Sequence, residues 1–390
     1  MMDTHPPIRI LHWGMTYGLG GLETFLMNVY RHIDRSQVQF DFLQDHNEPK
    51  LAFEDEITEL GGNVYRVMYS QRESLFKAHT CIPQFLNEHE HEFAGIHVNA
   101  NFPYAFPLRY ARKAGISMRI IHSHNCIPDS YWKNDNTIRK IMRDMTIQSA
   151  KRDIATLPTQ YFACSSLAAR YMFPPKQPYT LVRNGIDTNR FQFNEETRAR
   201  LRKQLNIASS TTVIGFCGTL REQKNPLFLL DVFAAYHVIN PDSMLLIVGD
   251  GELRSSVKQH ASELHIGDSV TITGMRKDTA DLYQAMDAFV LPSLFEGLGI
   301  VYIEAQCAGL PTLASSHVVP EEISVTDRLH FIGLEESAQE WAATLSTAIQ
   351  SAKSSSISRA TYATQVRSAG YDMEDVALML QDYYLEHSQS

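Results

Sequence analysis

Short apolar runs alternate with helix-like stretches along this chain, and the alternation runs through twice. Ile8–Trp13 (IRILHW) reads as a strand, and Leu22–His32 reads as a helix with apolar residues at helical spacing. Gln39–Leu43, Asn63–Val67, Gly95–Asn99, Arg119–His124, Tyr161–Ser165 and Tyr179–Asn184 continue as strands, with a helix over Phe53–Leu60 among them. A second series opens at Thr212–Gly218 and runs through a helix at Leu227–Val238. Its further strands are Met244–Gly251, Ser269–Gly274, Ala288–Ser293 and Pro311–Ser316. Strands separated by helices specify a parallel, doubly wound sheet. The break lies near NGIDTNRF (Asn184–Phe191). The expected architecture is α/β: two Rossmann-like domains, residues 1–185 and 186–370, facing across a cleft. Residues 371–390, with a helix at Met373–Leu385, follow the second sheet and are expected to pack back on the first domain.

Charge separates the halves. The net charge is −9, but residues 1–185 carry 20 basic and 18 acidic side chains, which leaves −11 for the remainder. An acidic balance argues against a nucleic-acid partner. Five scattered cysteines without a CxxC pair argue for reduced thiols in a cytoplasmic protein and against structural zinc. No signal peptide is expected, and no segment approaches the ~18 apolar residues of a membrane span.

Open parallel sheets bind ligands beyond the carboxyl ends of their strands, so the strand-to-helix turns matter most. GLGGLE (Gly18–Glu23) follows the first strand. Its glycines allow close backbone approach, and the next helix offers free amides to an anion. Glu23 stands where a dinucleotide fingerprint needs its third glycine, which argues against a dinucleotide cofactor. LPSLFEGLGIVYIEAQCAGLP (Leu291–Pro311) is the strongest signal. There Glu296-Gly297-Leu298-Gly299 opens a helix whose start can hold a diphosphate. Glu304 lies eight positions after Glu296, about two helical turns on.

These elements, with NGID (Asn184–Asp187) and VGDGEL (Val248–Leu253), resemble glycosyltransferase family 4, a retaining family of GT-B fold. The opening GGLETFLMNVYRHIDRSQVQFDFL is similar to bacterial enzymes of exopolysaccharide and capsule assembly. The resemblance implies that Glu296 contacts donor-sugar hydroxyls and that Gly297, Leu298 and Gly299 present amides to the diphosphate. It further implies that Glu304 holds the nucleotide ribose and that Lys224, in GTLREQKN, neutralises the leaving group. The related enzymes place an arginine where this chain has Thr219. Either Arg221 reaches the same phosphates or the site relies on Lys224 alone. Gly20 and Gly21 are implied to close over the diphosphate from the other domain. His124, better aligned than His122, is implied to touch the reacting sugar. Glu23, His122 and Asn125 are the acceptor-side candidates.

No Asp-x-Asp triplet occurs, so neither a metal nor another cofactor is expected. HSH at 122–124 allows a metal pair on one strand face, a weaker reading. The expected activity is transfer of a sugar, from a UDP-sugar, to a saccharide or polyprenyl-linked acceptor with retention of configuration. A nucleotide-sugar epimerase and a degenerate nucleotide-sugar-binding scaffold are the alternatives. The basic, amphipathic stretch from Lys133 to Arg152 has two readings. The sequence favours a surface helix that packs its stripe of Ile138, Ile141, Met142 and Met145 on its own domain. The other is a face that docks on anionic lipid at the inner side of the cell membrane.

Overall fold

The computed structural model describes residues 6–18, 20–68, 75–132 and 136–388. The chain divides into two units: Met1–Gly185 with Met373–Ser390, and Ile186–Asp372. Among the described residues the first holds seven strands: β1 (Ile8–Trp13), β2 (Val38–Asp45), β3 (Val64–Val67), β4 (Phe93–Ala100), β5 (Met118–Ser123), β6 (Gln160–Ala163) and β7 (Thr180–Leu181). Their order is β3-β2-β1-β4-β5-β6-β7, and every pairing is parallel. The second holds β8 (Thr212–Cys217), β9 (Ser243–Val248), β10 (Val270–Ile272), β11 (Ala288–Leu291), β12 (Thr312–Ser315) and β13 (Leu329–Ile332). They follow the order β10-β9-β8-β11-β12-β13, again parallel throughout. Both sheets reverse direction of winding beside their first strand, and the loops leaving that point are where ligands collect in such folds.

Six helices carry the functional argument: α1 (Gly21–His32), α2 (Phe106–Lys113), α3 (Thr137–Ile154), α4 (Pro226–Ile239), α5 (Ile300–Cys307) and α6 (Met373–His387). All eight residues of β2 are buried, including Asp41. That carboxylate is matched by the Arg9 guanidinium in a bidentate pair at 2.6 and 2.5 Å and by the amide of Asn63 at 2.7 Å. A buried charge so satisfied is tolerated where an unpaired one would unfold the strand.

Helix α6 completes the first unit, not the second. Met373, Val376, Ala377, Leu380 and Tyr384 join one apolar cluster with Phe25, Val29, Tyr30 and Phe40. Gln381 accepts from the amide of Asp34 at 2.6 Å, and Tyr384 reaches His97 at 2.7 Å.

The structure departs from the sequence expectation in three places. β13 was not foreseen. The strand expected over 179–184 contracts to Thr180–Leu181 at the sheet edge. The stripe of Ile138, Ile141, Met142 and Met145 does not pack on its own domain: these side chains are 71, 54, 64 and 69% exposed. Lys133, counted with that helix, lies outside the described residues, as does Leu19 of the GLGGLE turn.

Candidate active site

In the second unit the loops after β8 and β11 build one polar centre. The β8 loop is held by the β9 loop, backbone against backbone: Leu220 N donates to Asp250 O and Leu253 N to Leu220 O, both at 2.9 Å. Gly249, at φ +145°, is required here, because a Cβ would stand 2.0 Å from Gly218 O. A short turn, Glu222–Lys224, then ends on Asn225 in the left-handed region, from which Pro226 starts α4. This turn carries Lys224 inward, where its ammonium donates to Glu296 Oε1 at 2.5 Å. The same oxygen accepts from Ser293 Oγ at 2.6 Å, and Gln223 Nε2 stands 3.5 Å from Oε2. Glu296 is buried, and these donors are its partners there.

Beyond Glu296 the chain turns through Gly299, at φ +82°, into α5. The Glu296 amide is spent on Val318 O at 3.1 Å, whereas the amides of Leu298, Gly299, Ile300 and Val301 make no backbone hydrogen bond among the described residues. Four amides left open at a helix start are an anion site in waiting. Glu304 lies about one turn along α5 and is buried, with Tyr283 OH donating to it at 2.8 Å. Burial raises its carboxyl to about 7, against the smaller opposing effect of the tyrosine bond. Thr219 and Arg221 are exposed, and Arg221 forms no ion pair among the described residues.

In the first unit the polar groups come from the turn after β1 and from β1, β4 and the end of β5. Glu23 is not free for an acceptor: its carboxylate takes the Thr16 hydroxyl at 2.7 Å and the amides of Thr16 and Gly20 at 3.1 Å each. It fixes the shape of the turn that precedes α1. Gly20 sits at the helix N-cap, and a Cβ at Gly21 would meet nothing within 4 Å.

His122 and His124 come together with two histidines the sequence did not single out. His97 bridges Tyr384 OH at 2.7 Å and His122 Nδ1 at 3.2 Å. His122 is fully buried, which places this acceptor-side candidate inside the domain, with its ring 3.9 Å from that of His124. His124 Nε2 meets Asn99 Oδ1 at 3.0 Å, while Asn99 Nδ2 lies 3.3 Å from Trp13 O and 3.2 Å from His97 O. Carbonyls only accept, so the amide nitrogen must face them. Its oxygen therefore accepts a hydrogen bond from His124 Nε2–H, which leaves the lone pair on Nδ1. That Nδ1 is buried without a partner among the described residues. Burial pushes His12 and His124 down to about 3, and His97 and His122 well below their ordinary value. Asn125 is half-buried, and its side chain accepts from the Cys126 amide at 2.9 Å.

Sequence reasoning missed His12, Thr16, Asn99, His97, Ser293 and Tyr283. Ser293 alone carried a local signal, as the last residue before the Glu296 turn. Among the described residues no three His, Cys, Asp or Glu side chains converge as metal ligands, and no helix is long and apolar enough to cross a membrane.

Comparison with known proteins places these two constellations in company. The model of "Glycosyltransferase Family 4" matches residues 19–190, and that of "Glycosyl transferases group 1" matches residues 197–365. The EpsF protein of Bacillus subtilis (strain 168) is 30% identical over 344 residues, spanning 87% of this chain and 87% of that protein. The UDP-Gal:alpha-D-GlcNAc-diphosphoundecaprenol alpha-1,3-galactosyltransferase of Escherichia coli is 34% identical over 150 residues, 37% of this chain and 38% of its own length. Among solved structures, Anabaena HepE in complex with UDP superposes with a TM-score of 0.76 over 96% of this chain and 99% of its own, at 18% identity. That last likeness bears on the fold.

Proposed function

The chain belongs to glycosyltransferase family 4, and from that premise we propose that it transfers a sugar from UDP to a saccharide borne on a lipid carrier. The product retains the anomeric configuration, and the pathway is assembly of a bacterial surface polysaccharide. The observation that carries this reading is the Lys224–Glu296–Ser293 cluster set against the open amides at the start of α5. The amides and Lys224 supply positive potential for a diphosphate that becomes more anionic as its bond to the sugar breaks. Glu296 accepts from sugar hydroxyls, and Glu304 accepts from a ribose diol. Charge neutralisation is assigned to Lys224 and the helix start, with Arg221 as the exposed cation able to swing onto the same phosphates. In the first unit, the His124 Nδ1 lone pair is an acceptor for a sugar hydroxyl.

UDP is favoured by the ligand of HepE and by the donor named in the Escherichia coli relative, and a polyprenyl-linked acceptor by the same relative's name. Such an acceptor puts the enzyme at the cytoplasmic face of the membrane. Thermal-shift measurements with UDP-, GDP- and ADP-sugars test the donor, since a tight ligand raises the melting temperature by mass action. Transfer to a lipid-linked saccharide, with the anomeric product read by NMR, tests the reaction. Wild type and Glu296→Ala equally inactive with every donor would defeat the enzyme reading and favour a binding scaffold. A donor isomer formed without acceptor would favour an epimerase.

A further inference from the structure

Helix α3 presents two opposed faces. Arg143, Ile147, Ala150 and Ile154, at helical spacing, form the side turned toward the protein, where only Ala150 and Ile154 are buried. Ile138, Ile141, Met142 and Met145, also at i, i+3, i+4 and i+7, lie on the other side and stand 54 to 71% exposed. Four large apolar side chains in one exposed stripe form a patch that water disfavours, and such patches mark interaction surfaces.

The charges around the stripe say what covers it. Both acidic residues of α3 are already matched: Asp144 by Arg143 at 3.3 Å, and Asp153 by Arg109 of α2 at 2.6 Å. Exposed Arg139, Lys140 and Arg152 on α3, with Arg112 and Lys113 at the end of α2, form no ion pairs among the described residues. An exposed apolar stripe on a helix that also carries exposed cations without ion pairs among the described residues is complementary to an anionic lipid surface. The apolar side chains enter the acyl boundary, and the cations meet the headgroups. A second copy of the chain fits less well, because a two-fold contact would set Arg139 and Lys140 against their own like charges.

We propose that α3 is the membrane-docking element of this protein and that its occupant is an anionic phospholipid surface. The inference deepens the reading of a lipid-linked acceptor, since docking would deliver the first unit to the bilayer that carries it. Vesicle binding needs no donor sugar, so its failure is distinguishable from failure of the transferase reading.

The test is co-sedimentation of the full chain with vesicles of phosphatidylcholine containing phosphatidylglycerol, against phosphatidylcholine alone. Two variants accompany it: Ile138→Ser/Met142→Ser/Met145→Ser, and Arg139→Glu/Lys140→Glu. All these side chains are exposed, so unchanged melting curves establish that the variants fold. The wild type is expected to sediment with the anionic vesicles only and to release at high salt. Each variant is expected to bind at least about tenfold more weakly. A wild type that stays in the supernatant, or either variant binding like wild type, overturns the proposal. So does a wild-type dimer in analytical ultracentrifugation that the serine variant dissociates.

Discussion

Lys224 Nζ donates to Glu296 Oε1 across 2.5 Å, although the two residues are 72 positions apart and belong to different loops. Under the proposed function, this bond joins the cation assigned to a diphosphate to the carboxylate assigned to sugar hydroxyls. Each orients the other in a buried setting. A donor bound there as proposed would exchange one set of partners for another.

Removing the lysine should cost stability as well as activity. Lys224→Ala leaves Glu296 buried with only Ser293 and Gln223, and is expected to destabilise the second unit by about 2–4 kcal/mol. Lys224→Ala/Glu296→Gln should recover part of that loss while remaining inactive. Urea denaturation of the two singles and the double gives the coupling. Additive single effects would show that the pair contributes nothing.

Glu304 makes the second unit sensitive to pH in the opposite sense from most carboxylates. Its folded value of about 7 lies above the usual 4.5. As pH rises from the ordinary value, the unfolded chain releases a proton that the folded one keeps, so stability falls, by about 3 kcal/mol near pH 8. Glu304→Gln should match wild type near pH 5 and exceed it near pH 8. A ribose diol donating to the carboxylate would lower its value again, so nucleotide binding should release a proton. Calorimetry in buffers of different ionisation heat measures it.

The first unit should fail in acid. His12 and His124 are held near 3, below the ordinary 6.5, and His97 and His122 shift the same way. As pH falls through 6.5 the unfolded chain takes up protons that the folded state refuses, and stability is lost. His12 and His124 alone account for about 4 kcal/mol near pH 5. Scanning calorimetry between pH 7 and 5 should show this unit's transition moving down ahead of the other's. A His12→Asn variant should flatten the slope by about one proton.

Asn99 should fix which nitrogen of His124 carries the proton. Long-range proton–nitrogen spectra of histidine-labelled protein are expected to show the Nε2–H tautomer. In Asn99→Asp the new carboxylate faces Nε2–H and should raise the His124 value, displacing any acid limb of the transfer rate upward in pH. An Nδ1–H signal in the wild type would contradict the assignment.

Gly21→Ala should separate folding from function. Nothing in the fold occupies the space of a Cβ there, so Gly21→Ala should be neutral or stabilise α1 by up to about 1 kcal/mol. If the turn receives a diphosphate against its backbone, the same methyl group should lower transfer at least tenfold. Full activity in this variant would remove the turn from the site.

The two sheets were legible because buried parallel strands read as near-continuous apolar runs. β13 escaped because its four residues sit at the sheet edge and three of them are only half-buried, which leaves a mixed pattern. The site in the second unit was readable where it is contiguous, from Ser293 to Glu304. The histidine network was not. It draws on β1, β4, β5 and α6, and its bond from His97 to Tyr384 spans 287 positions. Periodicity revealed the stripe on α3 without its direction, because a pattern of 3.6 fixes which residues share a face and not what that face meets.

The position of α6 has a consequence for how the protein is made. The second unit is one uninterrupted segment, whereas the first needs Met373–Ser390 to be complete. On the ribosome the first unit's sheet, made before the second unit, therefore waits for α6 to emerge, with Phe25, Tyr30 and Phe40 uncovered and His97 lacking Tyr384. The order of synthesis and the order of completion are reversed. A chain released before α6 would hold a finished second unit joined to a first unit with an open core, a natural target for chaperones and proteases.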